Sequence, residues 1–205
     1  MRCRPSRSGS FPLCCGTSAP TRWRLIGSCC KDGPQGLRDR AIVLLLLRLG
    51  LRAGDIAGMR PMGIDWQDAT LLVRGKGRRD VRLPLPQDAG DAVLDYIEHA
   101  RPAVAIDRVF LCLNAPFRPL RAGMIVSGIV RAALRRAGIE NPPSHGTNLL
   151  RHTAATMMLR GGATLDEIGT LLRHKSPDTT AHYAKVDIAA LQEIAQPWPR
   201  EGRSC

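Results

Sequence analysis

Residues 171–187 read LLRHKSPDTTAHYAKVD. The stretch opens as the end of an apolar helix and then turns basic. Ser176 precedes Pro177, the order of an N-cap and a first helical position, so a new short helix is expected to start there. Tyr183 falls in the last turns of that helix, nine positions after His174. The chain holds two tyrosines in 205 residues, so aromatic filler is not its habit. Tyr183 either buries its ring and bonds its hydroxyl, as tyrosines commonly do, or it reacts.

Composition narrows the field. The formal net charge is +12 and the isoelectric point about 10.3, in a chain that is 44% hydrophobic. A folded chain with that excess suits a polyanionic partner, nucleic acid ahead of acidic membrane; the bland reading is solvated surface charge. The longest apolar run, AIVLLLL at 41–47, lies between Arg40 and Arg48 and falls far short of a membrane span. The apolar stretch near the N-terminus is broken by Pro12 and Gly16, so no signal peptide is expected. Seven cysteines stand at 3, 14, 15, 29, 30, 112 and 205. Their spacing is wrong for zinc, and an odd count without a secretion signal suits reduced thiols in the cytoplasm.

Three segments are expected. Residues 1–36 are rich in Pro, Gly, Ser, Cys and Arg and read as an irregular basic segment, with at most a short helix near 23–26. Residues 37–196 carry the folded pattern, and 197–205 form a tail beginning at Pro197. Within the middle segment, LRDRAIVLLLLRLG is a buried helix stopped by Gly50, and residues 52–59 form a second, short one. The period then changes: residues 69–75 and 79–85 are strand-like and joined by a basic, glycine-rich turn, a hairpin. An amphipathic helix follows, with Ala89, Val93, Tyr96 or Ile97, and Ala100 on one face. Residues 109–113, VFLCL, read as a third short strand. A helix over 122–139 has a basic edge of Arg131, Arg135 and Arg136. NLLRHTAATMMLR ends at Gly161 and Gly162, and Thr164 with Glu167 has the pattern of a capping box. A last short helix covers DIAALQEIA. The class is mainly α with a small antiparallel β-sheet.

Several positions carry chemistry. Arg52 follows a glycine break in LGLRAGDI; Lys76 sits at the hairpin tip in RGKGRR; Arg151 lies in NLLRHTAAT; His174 and Tyr183 close the series. Taken singly, each has a structural reading: a helix-start arginine, a turn lysine, a solvated helix edge, a charge at a helix C-terminus, a packed tyrosine. Together, in this order and these contexts, they resemble the tyrosine recombinases, the phage-integrase-like site-specific DNA recombinases. The resemblance covers roughly residues 37–196, and SPDTTAHYAKVD is its most telling string.

That resemblance implies a DNA breaking-rejoining catalytic fold and a double-stranded DNA partner. It further implies strand cleavage through a 3′-phosphotyrosyl link, with Tyr183 as nucleophile. Arg52 and Arg151 would fork the non-bridging phosphate oxygens. Lys76 would protonate the leaving 5′-oxygen, and His174 would steady the phosphate. No metal, ATP or other cofactor is implied, because the covalent link conserves the bond energy. Exchange of four strands between two duplexes implies self-association on DNA.

Two departures matter. Where the family usually has a histidine, three residues before the second arginine, this chain has Asn148. Asparagine can hydrogen-bond a phosphate but cannot act as a base near neutral pH. Slowed rather than abolished cleavage is expected, because electrostatic stabilisation usually carries the larger share. Residues 1–36 are also too few to build the helical domain that family members place before the catalytic one. Weak, salt-sensitive DNA binding with poor sequence discrimination is therefore expected. The alternatives are a non-catalytic DNA-binding remnant and a type IB topoisomerase-like nicking and closing enzyme.

Overall fold

The computed structural model describes residues 30, 32–74, 80–139 and 146–173. Helix α1, Pro34–Leu49, is the centre of the core. Pro34 opens it, where a missing N–H costs nothing, and Gly50 closes it in the left-handed conformation with its N–H bonded to the Leu46 carbonyl. Ala41, Ile42, Val43, Leu45 and Leu46 are fully buried. Burial this far round the helix requires neighbours on several sides, and α1 packs against α3, α4 and α5.

Helix α2, Ala53–Gly58, follows at once and leads through a 3-10 turn, Pro61–Gly63, into the sheet. The sheet has three antiparallel strands in the order β1 (Ile64–Asp65), β2 (Thr70–Arg74) and β3 (Asp80–Pro84). Leu71 pairs with Leu83 and Val73 with Val81. Alternation along β2 buries Leu71 and Val73 on one face, the period-2 signature of a half-buried strand. Residues 75–79, which contain the hairpin tip, lie outside the described residues.

Helix α3, Gln87–His99, buries Ala89, Val93 and Tyr96, while Ile97 and Ala100 pack at the margin. Tyr96 stacks on Phe110 with ring centroids 5.4 Å apart, and its hydroxyl accepts the Leu111 N–H at 3.2 Å. Burial pushes the Tyr96 phenol above its ordinary pKa. Helix α4, Met124–Arg136, presents Arg131, Arg135 and Arg136 to solvent and buries Val126, Ile129, Val130, Ala133 and Leu134. Helices α5, Thr147–Arg160, and α6, Leu165–Leu172, complete the described fold. At the start of α6 the Thr164 hydroxyl accepts the Glu167 N–H and the Glu167 carboxylate accepts the Thr164 N–H, the capping box expected from the sequence. Among the described residues no helix is long and apolar enough to cross a membrane.

The third strand is a correction. Residues 109–113 do not join the sheet; Leu111 makes only an isolated bridge with Pro119. Val109, Phe110 and Leu111 are fully buried, which explains the strand-like composition. Their backbone groups go elsewhere: the Val109 N–H to the Met59 carbonyl, that of Leu111 to the Tyr96 hydroxyl, and that of Cys112 to the Arg118 carbonyl. The actual third strand, β1, is two residues long and too short to show a period.

Candidate active site

The C-terminal ends of α1 and α6 meet beside α5. An α-helix leaves its last carbonyls without intrahelical partners, and here those oxygens collect arginines. Arg151, on α5 and only 8% exposed, donates through Nη1 to the Gly50 carbonyl and through Nη2 to the Leu172 carbonyl. One guanidinium thus caps two helix ends, where cations are favoured. Gly50 makes the approach feasible: its φ is +58°, and a Cβ built there would collide with Leu172 Cδ2.

Arg52 reaches the same place from the other side. It is half-buried and caps α2, with its backbone N–H bonded to Asp55 Oδ2 at 2.8 Å. Its Nη2 donates to the Arg173 carbonyl at 2.9 Å. Arg151 and Arg52 are therefore held by consecutive carbonyls, 172 and 173, and the next residue in the chain is His174. A guanidinium has five N–H donors. Among the described residues the Arg52 side chain donates only to that one carbonyl, so most of its fork is left for an anion.

Two further residues hold this junction together, and neither was singled out from the sequence. Arg173 forms an ion pair with Asp55 in which both side chains are 9% exposed. Its Nη2 contacts Asp55 Oδ2, and its Nη1 lies 3.4 Å from both Asp55 Oδ1 and the Arg74 carbonyl. Arg74 ends β2, two residues before Lys76. Arg173 Nε is buried with no partner among the described residues. Locally, Asp55 was legible as an acid three residues after Arg52, in the first turn of a helix. Arg173 carries no local signal, because its partner is 118 residues away.

Of the six expected site residues, the structure brings Arg52 and Arg151 together. Asn148 lies exposed in the first turn of the same helix, three residues before Arg151, a spacing that puts the two on neighbouring positions of one face. Lys76, His174 and Tyr183 lie outside the described residues. Among the described residues, the local charge balance is three guanidinium groups, of Arg52, Arg151 and Arg173, against the Asp55 carboxylate. A site with that imbalance is built to receive negative charge.

The fold is a mainly helical domain with a small sheet that gathers two arginines at a helix junction. The kinship is more specific. Residues 22–189 match the Phage integrase family, and the chain belongs to that family. A Sinorhizobium fredii protein named as an integrase/recombinase, y4rA, is 47% identical over 88% of this chain and 44% of its own length. Another from the same organism, y4gC, is 39% identical over 81% of this chain and 85% of its own length. Tyrosine recombinase XerC of Bifidobacterium longum is 36% identical over 80% of this chain and 48% of that protein. The chain thus spans less than half of y4rA and of this XerC, but most of y4gC.

Among solved structures, the crystal structure of XerA recombinase superposes with a TM-score of 0.73 at 24% identity, covering 93% of this chain and 65% of that one. XerH site-specific recombinase bound to its palindromic difH substrate superposes with a TM-score of 0.69 at 18% identity, covering 88% and 52%. These likenesses establish the fold as that of tyrosine recombinases.

Proposed function

We propose that this chain acts on double-stranded DNA as the catalytic part of a tyrosine-type site-specific recombinase or integrase. The observation that carries the reading is the placing of Arg52 and Arg151 on consecutive carbonyls directly before His174. A scissile phosphate seated there would meet the open part of the Arg52 fork beside the positive charge of Arg151. Together they stabilise the charge that grows on the non-bridging oxygens as phosphorus becomes five-coordinate.

The residues take these roles. The Tyr183 oxygen attacks phosphorus in line, the P–O5′ bond breaks, and a 3′-phosphotyrosyl link forms. Lys76, in the stretch of sequence between β2 and β3, gives a proton to the departing 5′-oxygen. His174 hydrogen-bonds a phosphate oxygen. Asn148 can bond the phosphate but cannot take the Tyr183 proton, which leaves to water or another base. Attack by a 5′-hydroxyl from a second strand reverses each step and rejoins the DNA. Exchange between two duplexes requires copies of the chain to associate on DNA. The 36–47% identity with proteins named integrase/recombinase and tyrosine recombinase supports this assignment.

We take the chain to come from a mobile element, and the test is a nicked or phosphorothiolate suicide duplex carrying an end of that element. A covalent protein–DNA band on a denaturing gel is expected, and it should vanish in Tyr183→Phe. A chain that shifts DNA on a native gel yet forms no covalent band would be a binding module, and the catalytic reading would fall.

A further inference from the structure

Position 173 is occupied by the wrong residue for its backbone. Arg173 terminates α6 with φ 55° and ψ 50°, the left-handed region. Glycine takes that conformation without steric cost, whereas a residue with a Cβ does not. If the turn were all that mattered, glycine would serve better, so the side chain must repay the strain.

What the side chain touches is specific. Its guanidinium forks Asp55, and Asp55 at the same time accepts the backbone N–H of Arg52. Its carbonyl accepts the Arg52 side chain. Its Nη1 reaches the Arg74 carbonyl, where β2 runs into the segment containing Lys76. Its neighbours in sequence are Leu172, whose carbonyl holds Arg151, and His174. Both ends of Arg52 are thus referenced to one residue, which also touches the root of the hairpin. A buried ion pair is a poor source of net stability because desolvation offsets the Coulomb attraction. Its better-attested use is to fix one arrangement among several.

We propose that Arg173, through its pair with Asp55, is a positioning residue: it sets the Arg52 guanidinium beside Arg151 at the junction of α1, α5 and α6. The inference rests on the catalytic reading above. It concerns the rate of the cleavage step rather than affinity for DNA.

Four proteins test it: wild type, Arg173→Gly, Asp55→Asn, and the double variant. Arg173→Gly keeps the turn and its carbonyl and removes only the fork. Asp55→Asn retains an oxygen for the Arg52 N–H but removes the charge. The double variant leaves no orphaned buried charge, so it remains informative if a single variant folds poorly. Single-turnover formation of the covalent adduct at saturating DNA is expected to slow about ten- to hundredfold in all three variants, the scale on which small misplacements of reacting groups act. Their gel-shift affinities should stay within about threefold of wild type, and Arg173→Lys should recover part of the rate, since charge returns without the planar fork.

A double variant that forms adduct within about twofold of the wild-type rate would overturn the proposal and leave the pair as structural filling. Lost affinity with an unchanged rate at saturation would also overturn it, making Arg173 a DNA contact. A wild type with no adduct would remove the catalytic reading and this inference together. A normal wild type beside a normal double variant removes the inference alone.

Discussion

Among the described residues, two arginine–aspartate pairs lie buried to nearly the same depth. In Arg38–Asp39 both side chains are 8% exposed; in Arg173–Asp55 both are 9% exposed. By burial and charge they are alike. They differ in what they join. Arg38 and Asp39 are neighbours in the chain, and the pair closes no loop; Arg38 Nε and Nη2 both rest on Asp39 Oδ1, and Nη1 reaches the Leu111 carbonyl at 3.3 Å. Arg173 and Asp55 are 118 residues apart and meet only when α2, α6 and the end of β2 have come together. The first pair anchors the irregular 109–111 segment to α1. The second fixes the relation between the residues expected to handle phosphate. Equal burial therefore predicts equal structural cost and unequal functional cost.

The largest effect tests both halves of that statement. Asp39→Ala and Asp55→Ala each leave a buried guanidinium without its carboxylate, and each is expected to lower the free energy of unfolding in urea by about 3–5 kcal/mol. At a temperature where both variants remain folded, adduct formation should be slowed only in Asp55→Ala. If Asp39→Ala slows the reaction as much, the two regions are not separable and the contrast breaks down.

The same contrast governs what could be read in advance. Helices α1, α3, α4 and α5 were legible because their signals are local: Gly50 as a stop, the 3.6-residue period of Ala89, Val93 and Tyr96, and the glycines after Arg160; the start of α1 was misplaced, since Pro34–Gly36 belong to the helix and not to the irregular segment expected there. Arg52 and Arg151 were legible as candidates through the motifs around them, and the structure does bring them together. Their meeting place was not legible. It consists of backbone carbonyls at 50, 172 and 173, and carbonyls leave no mark in a sequence. The third strand was misplaced for a related reason. Burial of 109–111 makes an apolar run, but which backbone groups pair is decided by distant partners such as Met59 and Arg118.

A smaller effect sharpens the junction side of the comparison. Gly50→Ala forces a Cβ into the left-handed region and against Leu172 Cδ2, next to the carbonyl that Arg151 holds. Backbone strain and overpacking together should cost about 2–4 kcal/mol, read as a lower urea midpoint at unchanged slope. The group displaced is the tip of the buried Leu172 side chain, whose residue also supplies the carbonyl that holds Arg151, so adduct formation should slow as well. Lost stability with an unaltered rate would show that the site tolerates movement of α6, and the tight geometry argued for Arg52 and Arg151 would lose its basis.

The smallest effect comes from the opposite end of that same helix, where the contacts are as local as those of Arg38 and Asp39. Glu167 is exposed, and hydrogen bonds from the Thr164 N–H and hydroxyl hold its carboxyl below its ordinary pKa. Those bonds favour the charged form, so the folded value is depressed relative to the unfolded one. Their contribution is then present above the unfolded value and drains away as pH falls through the folded value. Thr164→Ala should therefore lower stability modestly at neutral pH, and the gap to wild type should narrow in acid. The Thr164 N–H bond survives in that variant, so a gap that persists undiminished in acid would assign the hydroxyl's contribution to its bond from the Glu167 N–H, which does not titrate. Adduct formation should be untouched in either case. If fraying the start of α6 slowed cleavage, the carbonyls at its far end would depend on the whole helix, and the functional burden now placed on Arg173 and Asp55 would have to be shared with its local caps.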